Sequence, residues 1–398
     1  SYGEVGNDQI GGDRFLYLPS SYGAASDSGV NKYNFGLASN PDTSLMIVEN
    51  KIGNPDLTWE KAKKMNVGVD INLFNNCLTA SFDIFKEKRN NILANRSTSP
   101  MIIGANLPAY NFGEMENRGW EMDLNFRHHI QDFHYWARFN YSFARNEIIY
   151  MDEVQKRYDY QMTTGRRKNQ FFGLIFDGYY NSWEEINALD RPKSSWSGNQ
   201  LQPGDVKYVD VNQDGVIDDY DMVPIGYTPV PEIIYGFSFG AQYKGFDFSI
   251  LFQGADNVSI KYFGRSMWPF AKGEESAKSL IKERWTQERY EAGEKITFPR
   301  LSLNPNGETD HNYRPSTLWI RDASYLRLKN LEVGYTFTGG FVKRLNLNSV
   351  RLYFNGSNLF TWTDVVDLDP EAPSRSGNVE INTYPLQKVY NIGLNINF

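Results

Sequence analysis

The sequence predicts an all-β protein: the wall of a large antiparallel transmembrane β-barrel, with long extracellular loops and short periplasmic turns. Three observations predict it. The closing stretch Tyr384 to Phe398 places Tyr390, Ile392, Leu394, Ile396 and Phe398 alternately with Asn391, Gly393, Asn395 and Asn397. Side chains on a strand point to opposite faces in turn, so one face is apolar and the other polar or bare. The same alternation returns in strand after strand, with charge recurring on the polar face and aromatic rings on the other. Connection lengths also alternate between short and long along the whole chain. Barrels of outer membranes show all three traits: apolar residues toward lipid, polar ones toward the lumen, short turns on one side and long loops on the other.

Taken in order, residues Ser1 to Glu60 read as loop, rich in Gly, Ser, Asn and Asp, and 1–62 is expected to be an extracellular loop region leading into barrel strands over 63–398. Met65, Val67, Val69, Ile71 and Leu73 then share a face opposite Asn66, Gly68, Asp70 and Asn72. Asn75-Asn76 makes a short turn from a residue type that tolerates positive φ. Leu78, Ala80, Phe82 and Ile84 follow, and after a loop at 89–117 come Trp120, Met122, Leu124 and Phe126. A tight turn at Ile130–Asp132 leads into Phe133, Tyr135, Ala137, Phe139, Tyr141 and Phe143. In the long excursion 145–231, Ser182-Trp183-Glu184-Glu185 spells a capping box that opens a short helix. Two strands flank Lys244-Gly245, and a second excursion covers 254–323. There, Ala277, Leu280, Ile281 and Trp285 predict an amphipathic helix over Glu274–Glu291, ended by Gly293. The last strands are Ser324–Phe337, with a phase break near Lys329-Asn330 that predicts a bulge, Ser349–Thr361 and Gln387–Phe398, the final pair joined by a loop at 362–386.

With Phe398 placed in the periplasm, the connections at Thr338–Asn348, Lys244-Gly245, Ile130–Asp132 and Asn75-Asn76 all fall on the periplasmic side, and all are short. Those at 362–386, 254–323, 145–231 and 89–117 fall outside, and all are long. Val67, Phe82, Leu124, Phe139, Phe248 and Leu394 are expected to face lipid, and Asp70, Asp83, Asp123 and Arg138 the lumen.

Aromatics make up 15% of the 398 residues and the mean hydropathy is −0.54. An aromatic-rich yet polar chain suits a barrel, whose spanning face is apolar only at alternate positions, and equally a carbohydrate-binding β-sandwich. No apolar run approaches the ~18 residues of a membrane helix. Net charge −7 and pI near 5.3 exclude nucleic acid as a partner, because its backbone demands a basic surface. Cys77 is the only cysteine, so neither an internal disulfide nor a Cys-based metal cage is available. A chain that opens at Ser1 in loop-like sequence is read as part of a longer protein.

Several stretches resemble the SusC/RagA family of TonB-dependent outer-membrane transporters of Bacteroidetes. They are Gly53–Phe85 (GNPDLTWEKAKKMNVGVDINLFNNCLTASFDIF), Phe171–Ile186 (FFGLIFDGYYNSWEEI), Gly204–Met222 (GDVKYVDVNQDGVIDDYDM), Ser324–Phe337 (SYLRLKNLEVGYTF), Asn355–Asp364 (NGSNLFTWTD), DLDPEAP and YPLQKVYNIGLNINF. Their order and spacing span nearly the whole chain. The resemblance is to the C-terminal part of the family: roughly nine strands against the ~22 of such a barrel, without the upstream plug domain and TonB box. It implies a complete protein that imports oligosaccharides or peptides across the outer membrane of a Gram-negative bacterium, driven by TonB, with a SusD-like surface lipoprotein over its loops. It implies a transporter and no enzyme. The rival is a secreted, calcium-stabilised carbohydrate-binding β-sandwich, which would bury its aromatic face under a second sheet.

Asp210, Asn212 and Asp214, then Gly215, the Val216 carbonyl, Asp218 and Asp221 repeat the spacing of an EF-hand-type calcium loop. Position 12 is Asp221 rather than Glu, which shortens its reach, and flanking helices are missing. Read blandly this is a solvated acidic loop; ligand count and spacing favour calcium. Lumen-facing Asp70, Asp83, Glu121, Asp123, Arg127 and Arg138 suit a hydrated wall with charge pairs better than paired-carboxylate hydrolysis. His128, His129 and His134 lie near one periplasmic turn, but adjacent histidines on a strand diverge, so zinc is not expected. Trp183, Trp196 and Trp268 in the external loops are candidates for stacking on sugar rings, and packing within the loops accounts for them equally.

Overall fold

The structure, a computed structural model, describes residues 1–7, 16–18, 22–24, 32–37, 40–45, 47–49, 52–98, 107–196, 200–262, 264, 268–270, 279–302, 310–371 and 386–398. Ten strands form one antiparallel sheet in chain order: β1 (Tyr2–Asn7), β2 (Glu60–Leu73), β3 (Leu78–Ala94), β4 (Tyr110–Ile130), β5 (Phe133–Tyr150), β6 (Ile233–Tyr243), β7 (Phe246–Asp256), β8 (Tyr325–Phe337), β9 (Ser349–Thr363) and β10 (Val389–Asn397). Nine are the strands the alternation predicts. The tenth is a correction: Tyr2–Asn7, expected to be loop, pairs antiparallel with Glu60–Met65, so the sheet edge lies at β1 and not before Lys63. Ten strands also replace the odd number expected, so the two edge strands run in opposite directions.

Turn chemistry matches strand direction. Asn75 and Asn76 have φ of 55° and 67°, and Lys244-Gly245 takes 45° and 86°, the left-handed values that a two-residue hairpin turn requires. The expected bulge is present: Lys329 is skipped in the pairing of β8 with both β7 and β9. Without it, a one-residue slip would send Leu331, Val333 and Tyr335 to the lumen; with it, they join Leu326 and Leu328 on the apolar face.

Cross-strand register makes that face continuous. Ile71, Ala80, Leu124, Phe139, Phe237 and Phe252 form one row, and Tyr243, Phe246, Tyr335, Leu352 and Leu394 another. The face is open rather than packed: Val67 is 62% exposed, Ile84 54% and Leu394 56%. Tyr335 and Phe337 stack edge to face at 4.7 Å, and Phe133 lies 5.4 Å from Tyr135 and 6.2 Å from Tyr243, a girdle of rings at the periplasmic edge. A sandwich would cover this face with a second sheet, so the sandwich reading falls.

The buried apolar cluster instead lies outside the wall, in the external segments. Leu174, Val206, Tyr208, Ile260, Tyr262, Phe298, Tyr313 and Trp319 form it, drawn from the excursions after β5 and after β7. The helix expected over Glu274–Glu291 is corrected as well. Residues 271–278 lie outside the described residues; the rest is a 3-10 turn at Ser279–Glu283 and a separate α-helix at Gln287–Glu291. The break falls at Trp285, whose N–H donates to the Phe298 carbonyl (2.8 Å) while its ring enters the core. Strands also outrun expectation: β3, β4 and β5 reach Ala94, Tyr110 and Tyr150, shortening the loops placed at 89–117 and 145–231.

Placing a charge on the open apolar face separates lipid from water. In the full-length protein, Phe82→Arg is expected to lower folding stability in lipid vesicles by ~2–4 kcal/mol, whereas Ser81→Arg, one residue along and facing the lumen, leaves it within experimental scatter. Denaturant titration of the reconstituted protein measures both, and equal losses would rule out lipid on that face.

Candidate functional site

The lumen face presents its charges to one space. Register lines up Asp83 with Glu121 and Ser142, Asp70 with Ser81, Asp123 and Asn140, and Asn125 with Arg138. Among the described residues no basic side chain pairs with Asp70, Asp83 or Asp123. Further round the wall Arg351 holds both Asp247 and Glu332, each at 2.5 Å. Register places Asp70, Asp83, Asp123 and Arg138 on the face opposite the apolar rows, the side expected for them. Trp136 lies flat over Gly240, where even a Cβ would come within 2.4 Å of its ring, and the Arg138 guanidinium sits 5.5 Å from that ring. Trp136, Arg138, Asp123 and Asn140 line a cavity of about 460 Å³ open to the lumen.

Two ionic clamps join the loops to the rim. Glu232, 5% exposed just before β6, accepts from Arg145 Nε (2.9 Å) and Nη2 (2.8 Å), from Arg167, and from Asn257 Nδ2 (3.1 Å). Burial pushes its carboxyl up, and the two guanidinium groups more than reverse that, leaving it below the ordinary glutamate value. Arg327, 1% exposed on the lumen face of β8, holds Asp369 (2.8 Å) and Glu371, and donates to Thr361 Oγ1 (2.9 Å). This fixes the first turn of the segment after β9. Neither clamp was foreseen; the acids of the DLDPEAP stretch were the only signal, and nothing in them names Arg327 as the partner.

Inside the dome that these external segments form, Asp205 is 3% exposed, accepts from Asn312 Nδ2 (2.7 Å) and the Gln202 N–H (2.7 Å), and forms an ion pair with Arg300, whose Nη2 donates to it at 3.4 Å. His311 Nε2 donates to the Val206 carbonyl (2.7 Å), and its Nδ1 lies 3.0 Å from Ser194 Oγ. Burial holds His311 below the usual histidine value, hence neutral at pH 7.

The acidic loop takes the turn its spacing implies. Gly215 has φ of 82° and donates to Asp210 Oδ2 (2.8 Å); Val216 N–H donates to Asp214 Oδ1 (3.0 Å). Asp221 is fully buried and accepts from the N–H groups of Val211, Asn212 and Asp218. Its burial outweighs those bonds and raises its carboxyl above the ordinary aspartate value. Among the described residues no three His, Cys, Asp or Glu side chains are gathered closely enough to hold a metal ion. One oxygen of the loop stays open: Asp210 Oδ1 is buried without a hydrogen-bond partner.

Of the three tryptophans, Trp183 is the most exposed, at 55% on the first turn of α1 (Trp183–Asn187), whose Ser182 cap accepts the Glu185 N–H as the capping box predicts. Trp268 is buried against Tyr313 at 5.2 Å, and Trp196 packs on the core under Arg314 at 4.0 Å. Burial of Trp268 corrects its candidacy for sugar stacking, while Trp196 is half-buried and keeps part of its surface. The neighbouring histidines do not fully diverge: His129 stacks on His134 at 5.5 Å and its ring also lies 6.1 Å from that of His128, whose Nδ1 lies 3.6 Å from Cys77 Sγ.

Residues 17–359 match the family described as "TonB dependent receptor-like, beta-barrel". TonB-dependent receptor P3 of Formosa agariphila is 27% identical over 417 residues, covering 100% of this chain and 39% of that protein. TonB-dependent receptor SusC of Bacteroides thetaiotaomicron is 26% identical over 403 residues, covering 100% of this chain and 37% of its own. The solved RagAB peptide importer in its open-open state superposes with a TM-score of 0.67 at 24% identity, over 100% of this chain and 39% of that one. The chain thus spans about two fifths of the length of the relatives it matches.

The Glu232 clamp gives a pH test. A carboxyl held below its unfolded value of ~4.3 stabilises the fold above that pH and loses the contribution as pH falls through its folded value. In the full-length protein, Glu232→Gln is expected to cost about 3 kcal/mol at pH 7, the lower end for a broken buried pair, since both arginines keep some solvent. The difference from the parent should shrink below pH 4 in thermal melts; a gap that stays constant to pH 3 would refute the ionic role.

Proposed function

The chain belongs to the TonB-dependent receptor-like β-barrel family, as the C-terminal part of SusC/RagA-like outer-membrane proteins, and on that premise we propose that the whole protein imports oligosaccharides or peptides. In this reading TonB supplies the energy through the part upstream of this chain, and a SusD-like surface lipoprotein seats on the external loops. The observation that carries the reading is the pairing of an open apolar face with a polar, water-facing one across the nine strands β2 to β10, all with long excursions on one side. The test is uptake by cells that make the full-length protein, offered labelled oligosaccharides and labelled peptides with and without functional TonB. Accumulation of one class that disappears without TonB is expected. Uptake of neither class, or uptake indifferent to TonB, would reject the proposal.

We further propose that calcium, as a structural ion of the acidic loop, draws together Asp210, Asn212, Asp214, Asp218 and Asp221 and the Val216 carbonyl, the acidic side chains standing further apart in this structure. The unpartnered Asp210 Oδ1 and the Gly215 turn support it. Chelation is expected to expose the segment around 210–221 to protease and calcium to restore protection, with Asp210→Ala unresponsive. Identical cleavage with and without calcium would remove the ion from the account.

A further inference from the structure

Directly above the apolar belt, on its extracellular side, the outer face of β2 to β5 turns cationic. Cross-strand register aligns Met65, Lys86, Arg118 and Arg145 in one row. One step further out it aligns Glu4, Lys63, Lys88, Glu116 and Glu147, so the acids gather in this outer row. Lys86 faces Arg118, Arg118 faces Arg145, and Lys63 faces Lys88. Like charges set opposite each other on neighbouring strands are destabilising, so three such pairs in one patch call for an anion.

The acids present do not remove that demand at the belt. Lys86 Nζ reaches Glu116 at 2.9 Å and Arg118 reaches Glu147 at 3.9 Å, both acids lying outward of the row; Lys88 reaches Glu114 at 2.8 Å and Lys61 reaches Glu4 at 3.5 Å. Arg145 is held by Glu232 and lies 5.4 Å over the Phe143 ring. The lowest row carries cations and no acid, and the Lys86 and Arg118 side chains remain 55% and 60% exposed.

Position fixes what such a row would meet. From Phe126 to Arg118, on the same face of β4, is eight residues. At ~3.4 Å per residue and the usual 35–45° strand tilt this spans roughly 20 Å of membrane. The row therefore stands at the outer headgroup level, with the aromatic girdle at the inner one. The outward positions of β6 to β10 carry no lysine or arginine along those strands, so the patch is a local seat rather than a ring.

We propose that Lys86, Arg118 and Lys63, with Lys88 above them, bind the phosphate groups of an anionic lipid in the outer leaflet. A phosphate offers several acceptor oxygens to donors on strands ~4.8 Å apart. It would relieve the like-charge rows while the lipid's chains lie on the apolar belt below.

The test uses the full-length protein in detergent with a bisphosphorylated glycolipid, or the same lipid with its phosphates removed, and counts bound lipid by native mass spectrometry. The parent is expected to retain the phosphorylated lipid and release the dephosphorylated one. The K86Q/R118Q double variant is expected to hold the phosphorylated lipid roughly thirty-fold more weakly, the loss two surface cations at a headgroup imply. K86R/R118K should restore it. Equal retention of both lipids by the parent, a comparison that needs no variant, would overturn the proposal. So would undiminished retention by a folded K86Q/R118Q protein.

Discussion

Inside hydrocarbon a backbone N–H or C=O has no water to fall back on, and each one left unpaired costs several kcal/mol. The wall follows from that constraint. Strands pair with their neighbours in the sheet in long ladders interrupted only at bulges, so most of the backbone is satisfied before any side chain is considered. Side chains are then free to sort by face alone, and a period of two suffices. Even the local irregularity serves the ladder: skipping Lys329 keeps the pairing on both sides while restoring the apolar face.

The consequence is a protein with two opposite kinds of interior. Along the apolar belt of the wall, large apolar side chains point outward and the charges inward, where Arg351 bridges Asp247 and Glu332. In the external segments the order is that of a water-soluble domain, with Trp319, Tyr313, Phe298 and Leu174 buried and hydrogen-bonded polar groups threaded among them. Glu232 and Arg327 stand where these regimes meet. Each is a buried charge compensated by two opposite charges, so the loops are fixed to the rim by geometry that neither region alone provides.

What could be read from the residues follows the same division. Alternation made β2 to β10 legible because the wall's pattern is local, and Asn75-Asn76 and Lys244-Gly245 announced their turns by their own φ preferences. Tyr2–Asn7 escaped because YGEVGN has two glycines and no apolar row; its pairing with Glu60–Met65 is a tertiary fact. Leu280, Ile281 and Trp285 do have helical spacing, but the Phe298 carbonyl captures the Trp285 N–H and divides the segment. Trp268 looked available because exposure in a loop depends on what folds over it. The clamps were illegible for the same reason: Arg327 and Asp369 lie 42 residues apart, and Arg145 and Glu232 87.

The dome's core is woven from excursions that leave the wall at different places. Leu174 N–H donates to Pro315 O, the Tyr262 hydroxyl to Val366 O, and the Arg300 N–H to Gly204 O. The excursion after β5 buries a small cluster of its own (Tyr180, Ile186 and Leu201), but the main core is completed only when several excursions meet. The strands between them must therefore already have crossed the bilayer before the dome can close. Its completion is late by construction, and it records that each earlier hairpin has arrived in the correct order. A chain with one hairpin still on the wrong side would leave Trp285, Trp319 and Phe298 without the partners that bury them.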